Sequence, residues 1–249
     1  MCDDLHLRRT SSSCLLPRPD VIIHSDTGSE LPITEEIALK MKKFCEEELK
    51  IPFVIVRSHR GSLHDDYMRL GNIPMIGARS CTQNFKILPQ RRYIRSIVGR
   101  GGPRGAMLAE CWLGITTDEE NRRVDGEDGE SGSDVKWCGI RYPLLDDHPM
   151  SRAECISLNE QWGWEIPKSG CWLCPYQGAT QWRELRDQHP DLFAIAVKME
   201  EIKFSQPRDA ERIAEGKNVI GLFQHKKLAD IDEWDLKMAR CDSPAGCFI

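Results

Sequence analysis

The sequence predicts an α/β fold, a mostly parallel sheet sandwiched by helices, and three observations carry that expectation. Short β-branched apolar runs stand at Asp20 to Asp26 and at Pro52 to Val56, an amphipathic helical pattern lies between them, and a third apolar run follows at Met107 to Ile115. Strand, helix, strand in that order builds parallel sheets whose ligands gather at the strand C-termini.

Asp20 to Asp26 ends in polar residues and Thr27-Gly28, as a buried parallel strand feeding a functional loop would. Thr34 to Lys50 places Ile37, Met41, Phe44 and Leu49 at near-helical spacing, with Thr34 and Glu35 suited to its start. Pro52 to Val56 reads as the next strand, and Arg57 to Ser80, rich in Gly, His and Asp, as loop. Cys81 to Lys86 opens a basic helix with Arg91, Arg92 and Arg95, which Gly99 to Gly105 ends. Met107 to Ile115 is the third strand, stopping at Thr116 to Glu119, and Asp125 to Asp134 reads as a mobile loop. Tyr142 to Leu145 is expected to be extended. Ser151 to Trp162 reads as a helix with Glu154 at the capping-box position and Gly163 closing it. Gln181 to Phe204 is a longer amphipathic helix broken near Pro190, before a mixed tail that ends in Cys241 to Cys247.

Composition narrows the function classes. With 40% hydrophobic and 29% charged residues, and no apolar run near the roughly 20 residues that span a bilayer, a soluble globular protein is expected. Met1 to Ser13 lacks the apolar stretch of a secretory signal, so a cytoplasmic location is expected. In that reducing setting the 11 cysteines are mostly buried small hydrophobes, and only closely spaced ones carry chemistry. A net charge of −5 gives no global attraction to nucleic acid, so anion binding must come from local clusters, of which Lys86 to Arg104 is one.

Cys171-Trp172-Leu173-Cys174, followed by Pro175, has the two-residue spacing that lets two thiolates face one metal or iron-sulfur centre. A redox dithiol or merely structural cysteines are the rival readings. A tetrahedral site needs further ligands, and Cys81 leads the candidates because helix-start N–H groups and nearby arginines favour its thiolate; Cys155, Cys138 and the Cys241/Cys247 pair are the others. Lys86, Arg91, Arg92 and Arg95 suit phosphate or sulfate, although helical spacing keeps them from all facing one ligand, and a solvated face is the bland alternative. Ser25-Asp26-Thr27-Gly28 offers a carboxylate, a hydroxyl and a permissive glycine at a strand end. Asp118 and Arg122 form a second strand-end cluster.

Taken together these pieces resemble the phosphoadenosine phosphosulfate reductase-like branch of the PP-loop, or adenine nucleotide alpha hydrolase-like, superfamily. The resemblance rests on Pro19 to Glu30, Arg79-Ser80-Cys81-Thr82 with Lys86, Pro89 and Arg92, Leu113 to Glu119 with Arg122, Tyr142-Pro143-Leu144, Met150-Ser151-Arg152, and Lys168 to Pro175. Several motifs in one order are more specific than any alone. The resemblance implies a five-stranded, mostly parallel sheet that binds ATP or a sulfonucleotide and moves or reduces sulfur. It implies an iron-sulfur cluster, 4Fe-4S in kind with zinc as the alternative, held by Cys81, Cys171 and Cys174, with one iron open to sulfide or substrate. Asp26, Thr27, Gly28, Lys86, Arg91, Arg92, Asp118 and Arg122 would hold the nucleotide or its anion. The acceptor would be a tRNA, a DNA base or a thioredoxin-type partner, with no membrane, and a homodimer is common in the family. The expected layout is a nucleotide-binding domain over 17–182 and a helical, cysteine-containing extension over 183–249. The family's Ser-Gly-Gly-Lys-Asp-Ser-like loop has no counterpart in Met1 to Leu16, and Thr10 to Ser13 offers hydroxyls without glycines. A family member that has lost catalysis, or lacks its N-terminal part, and serves as a binding scaffold with a structural metal is the alternative reading.

Overall fold

A computed structural model describes residues 17–99, 106–123, 137–166, 170–224 and 226–233. The expected loop at Asp125 to Asp134, Lys168, Ser169, the N-terminal 16 residues and the Cys241/Cys247 pair lie outside them.

The α/β class is present as two parallel strand pairs with helices around them. Strand β1 (Ile22–Asp26) pairs with β2 (Phe53–Arg57) from Ile22 opposite Phe53 to Asp26 opposite Arg57. Strand β3 (Ala109–Trp112) pairs with β4 (Cys138–Arg141), and among the described residues the two pairs are not joined by strand hydrogen bonds. Helix α1 (Pro32–Glu47) makes the crossover from β1 to β2. It begins two residues before Thr34 because Pro32 needs no N–H partner in a first turn, and it buries Thr34, Ala38 and Cys45.

Three expectations need correction. The span from Arg57 to Ser80 holds helix α2 (Leu63–Arg69), capped by Ser62 Oγ, which accepts the Asp65 N–H at 3.2 Å. Its buried face is only Leu63, Asp66 and Tyr67, too short a stripe to stand out among polar neighbours. Tyr142 to Leu145 is not extended: Pro143–Asp147 is a π-helical turn opened by Pro143. The third strand shrinks to β3, and β4 is unexpected, because its residues are half-buried or exposed and give no alternating pattern.

The basic helix forms in three parts: α3 (Ser80–Thr82), a π-helical stretch Gln83–Ile87, and α4 (Leu88–Val98), ended by Gly99 at φ +71°. Pro89 has no N–H to give the carbonyl one α-turn back, which explains a wide turn just ahead of it. Helix α5 (Arg152–Gln161) carries the expected capping box, with Ser151 Oγ accepting the Glu154 N–H at 3.3 Å and Glu154 accepting the Ser151 N–H at 2.7 Å. The long helix divides at His189 into α6 (Ala179–Gln188) and α7 (Pro190–Phe204), and the tail adds α8 (Pro207–Ala214) and a 3₁₀ turn, Leu228–Glu233.

The main hydrophobic cluster lies between the cysteine segment and these later helices. Trp172, Leu173, Trp182 and Met199 pack with Leu63, Tyr67 and Phe85, so residues on both sides of position 182 share one core. Among the described residues no helix is long and apolar enough to cross a membrane.

Candidate thiol pocket

The loop after β1 turns sharply because Asp26 and Thr27 hold it from beneath. Asp26 Oδ1 accepts the Gly28 N–H at 2.7 Å, and Oδ2 takes the Arg57 guanidinium at 2.7 Å from Nε. Gly28 has φ +67°, and a Cβ there would stand 2.8 Å from the Ser62 Cβ, so only glycine fits. Thr27 Oγ1 accepts the Ser29 N–H at 3.3 Å and donates to Glu30 Oε1 at 2.8 Å.

This loop carries the cysteine segment as a short antiparallel bridge. Glu30 lies opposite Cys171, the Leu31 N–H donates to Gly170 O at 3.2 Å, and the Trp172 N–H donates to Ser29 O at 3.0 Å. Cys171 Sγ is thereby set 3.4 Å from Thr27 Oγ1 and donates to Glu30 Oε1 at 3.5 Å. Burial first, then the Glu30 charge, pushes the Cys171 thiol up to about 12, against the opposing pull of Lys86. Ser29 Oγ accepts the His64 N–H at 3.1 Å and lies 2.9 Å from His64 Nδ1, while the His64 ring rests near Trp172.

Cys171 and Cys174 meet Cys81 at one cavity of about 40 Å³, lined also by Lys86, Leu63 and Thr82. The π-helical stretch positions Lys86 there, and Lys86 O accepts the Ser25 hydroxyl at 3.0 Å, tying helix to strand. Burial opposes the charge of Lys86, yet the Cys171, Cys174 and Cys81 sulfurs, where ionised, together with the Glu30 carboxylate outweigh it and hold the ammonium above its ordinary range. Arg79, at φ +43°, stands at the pocket with its guanidinium over the Tyr176 ring and Nε 3.4 Å from the Tyr176 hydroxyl. Beside Cys81, the Ser80 hydroxyl is 2.7 Å from the Tyr67 hydroxyl.

The other candidates lie elsewhere. Arg92 faces outward against the His59 ring. Arg91 lies near Cys111 and Cys138 on the second strand pair, where its charge opposes the upward push of burial on both thiols. Asp118 Oδ2 accepts the Arg152 N–H at 2.6 Å, and Arg122 pairs with buried Glu119, so both are engaged in local structure. Cys155 sits on α5, in the field of Asp118 and Glu154. Thus Thr27, Lys86, Cys81, Cys171 and Cys174 come together, whereas Arg91, Asp118 and Arg122 do not join them.

Glu30, Arg57 and His64 were missed in the sequence. Glu30 alone left a trace, as a charged residue immediately after a strand-end loop; the other two are placed by contacts distant in the chain. Among the described residues no three His, Cys, Asp or Glu side chains are gathered closely enough to hold a single ion. Comparison with protein-family models, with curated proteins and with solved structures found no match.

Proposed function

We propose that the protein is a sulfur-transferring or sulfur-reducing member of the phosphoadenosine phosphosulfate reductase-like family, with a metal-sulfur centre at Cys81, Cys171 and Cys174. The observation that carries this reading is the meeting of three thiols from two distant stretches of chain at one pocket, beside the Lys86 ammonium and the loop after β1. The donor set is soft, and thiolates suit iron-sulfur clusters and zinc. Bound there, an iron-sulfur cluster would supply electrons or an open iron for sulfide.

The chain's own residues have separable tasks in this reading. Thr27 and Glu30 hold the Cys171 sulfur in place, Lys86 balances negative charge brought to the pocket, and an adenine nucleotide or sulfonucleotide would lie along the loop at Asp26, Thr27 and Gly28. The strand pairs would be parts of the family's larger parallel sheet. Protein purified without oxygen is expected to be brown, with absorbance near ~400 nm and matched iron and sulfide. Colourless protein containing zinc alone would remove the cluster from this reading.

A second reading, a nucleotide-, nucleic-acid- or protein-binding scaffold without catalysis, draws on the engagement of Asp26 by Arg57 and Gly28, and of Asp118 and Arg122 by their neighbours. Titration calorimetry with ATP and with adenosine phosphosulfate separates the two, since turnover of either nucleotide contradicts the scaffold.

A further inference from the structure

The connection from β2 to α2 wears its cations outside and its carboxylates inside. Arg57 has a side chain 73% exposed, yet its partner Asp26 is only 8% exposed beneath it. In α2, Asp66 is 2% exposed and takes both Arg60, at 2.8 Å from Nε, and Arg69, whose side chain is 66% exposed. Exposed Arg92 of α4 reaches the exposed His59 ring from the other side. Four guanidiniums against Asp26 and Asp66 leave two positive charges, and exposed Asp65 beside His64 offsets one.

Buried Asp26 and Asp66 hold the Arg57, Arg60 and Arg69 guanidiniums, and the exposed Arg57, Arg69 and Arg92 side chains make the layer met first by an approaching ligand positive. It presents rigid planar donors suited to phosphate. The guanidinium plane of arginine can also stack on bases.

We propose that this arginine rim, Arg57, Arg60, Arg69 and Arg92 with His59, is a docking surface for the phosphodiester backbone of a nucleic acid. It runs to the thiol pocket within three residues, since Leu63 lines that pocket and its N–H donates to Thr27 O at 2.8 Å. A bound strand would therefore lie beside the sulfur chemistry, and that consequence alone rests on the function proposed above.

Fluorescence anisotropy of the full chain with a labelled RNA hairpin and a DNA duplex of the same sequence tests the rim. Binding at ~50 mM salt should weaken as salt rises, with a log–log slope of about −1 to −2, as expected when roughly one or two phosphates are neutralised. Arg92→Glu, and Arg69→Gln combined with it, should weaken binding about tenfold and flatten that slope by about one unit for each phosphate no longer held. Lys217→Glu, an exposed change outside the rim, should leave binding within about twofold of wild type. Binding of RNA, of DNA or of both supports the proposal and names the source of the phosphates. It is overturned if neither binds at low salt, if Lys217→Glu weakens binding as much as the rim variants, or if polyglutamate displaces the nucleic acid at equal charge concentration. Melting curves of the variants confirm folding, and the salt slope of the wild type stands without any variant. Iron and sulfide content decides the metal reading independently, so either result can fail alone.

Discussion

Cys171 and Cys111 are both thiols that burial pushes up, to about 12 and about 11, but they stand on different ground. Cys171 belongs to a segment sewn by backbone hydrogen bonds to the loop after β1 and followed by Trp172 and Leu173, which enter the main core. Around it are a hydroxyl, a carboxylate, an ammonium and two further thiols. Cys111 sits in the two-stranded β3–β4 sheet, where among the described residues Cys138 and Arg91 are its partners in charge and where Ile140 is exposed. A raised thiol is therefore not by itself the mark of a site. What singles out the first site is polar chemistry gathered on a rigid apolar base.

Removing that base is expected to have the largest effect. Trp182→Ala deletes a fully buried ring from the cluster under the pocket, and we expect a loss of about 3–5 kcal/mol in denaturant unfolding. Ile140→Ala in the exposed strand should change stability by only about 0.5 kcal/mol. Equal losses would mean that the second sheet is as firmly built as the first site.

Thiol reactivity probes the quieter region directly. Raising a thiol from 9.0 to about 11 leaves about a hundredfold less thiolate at neutral pH, so Cys111 should alkylate about a hundredfold more slowly than an ordinary cysteine. Peptide-resolved iodoacetamide labelling reads this, with the rate climbing about tenfold per pH unit toward 11. A plateau near pH 8 would show that Arg91 dominates burial at this thiol.

Beneath the core, Glu200 gives a smaller effect with a definite sign. Its oxygens accept the N–H groups of Leu222 at 2.6 Å and Leu228 at 2.8 Å, and a Cβ on Gly221 would collide with Oε1. Burial, against those two bonds and Lys203, raises its carboxyl from 4.5 to about 7. The folded state therefore keeps a proton that the unfolded chain has released. Stability present below pH 4.5 is lost as pH rises through about 7. Glu200→Gln should flatten that pH dependence and cost about 1–3 kcal/mol at low pH, because an amide offers one acceptor to two donors. An unchanged pH profile in thermal melts would assign the dependence to another group.

Much of the local structure was legible. The β-branched runs marked β1 and β2, Ser151 and Glu154 marked the start of α5, and Pro190 marked the break before α7, because each is set by neighbours in sequence. Helix α2 and strand β4 were not, since α2 buries so short a face and β4 shows no alternation of buried and exposed residues.

Of the candidate site, the residues with suitable chemistry are evident in the sequence: thiols at two-residue spacing, a helix-start thiol, a lysine and a strand-end loop. Tertiary structure alone decided which of them meet. Cys81, Lys86 and Cys174 reach one cavity, and Glu30 is laid against Cys171, because an antiparallel bridge joins residues 141 positions apart. Arg91, Asp118 and Arg122 have equally suitable side chains and are drawn elsewhere by nearer partners. Spacing along a chain fixes only the direction a side chain takes from its own element, whereas a site depends on how elements pack, and that is settled by the apolar surface they bury together.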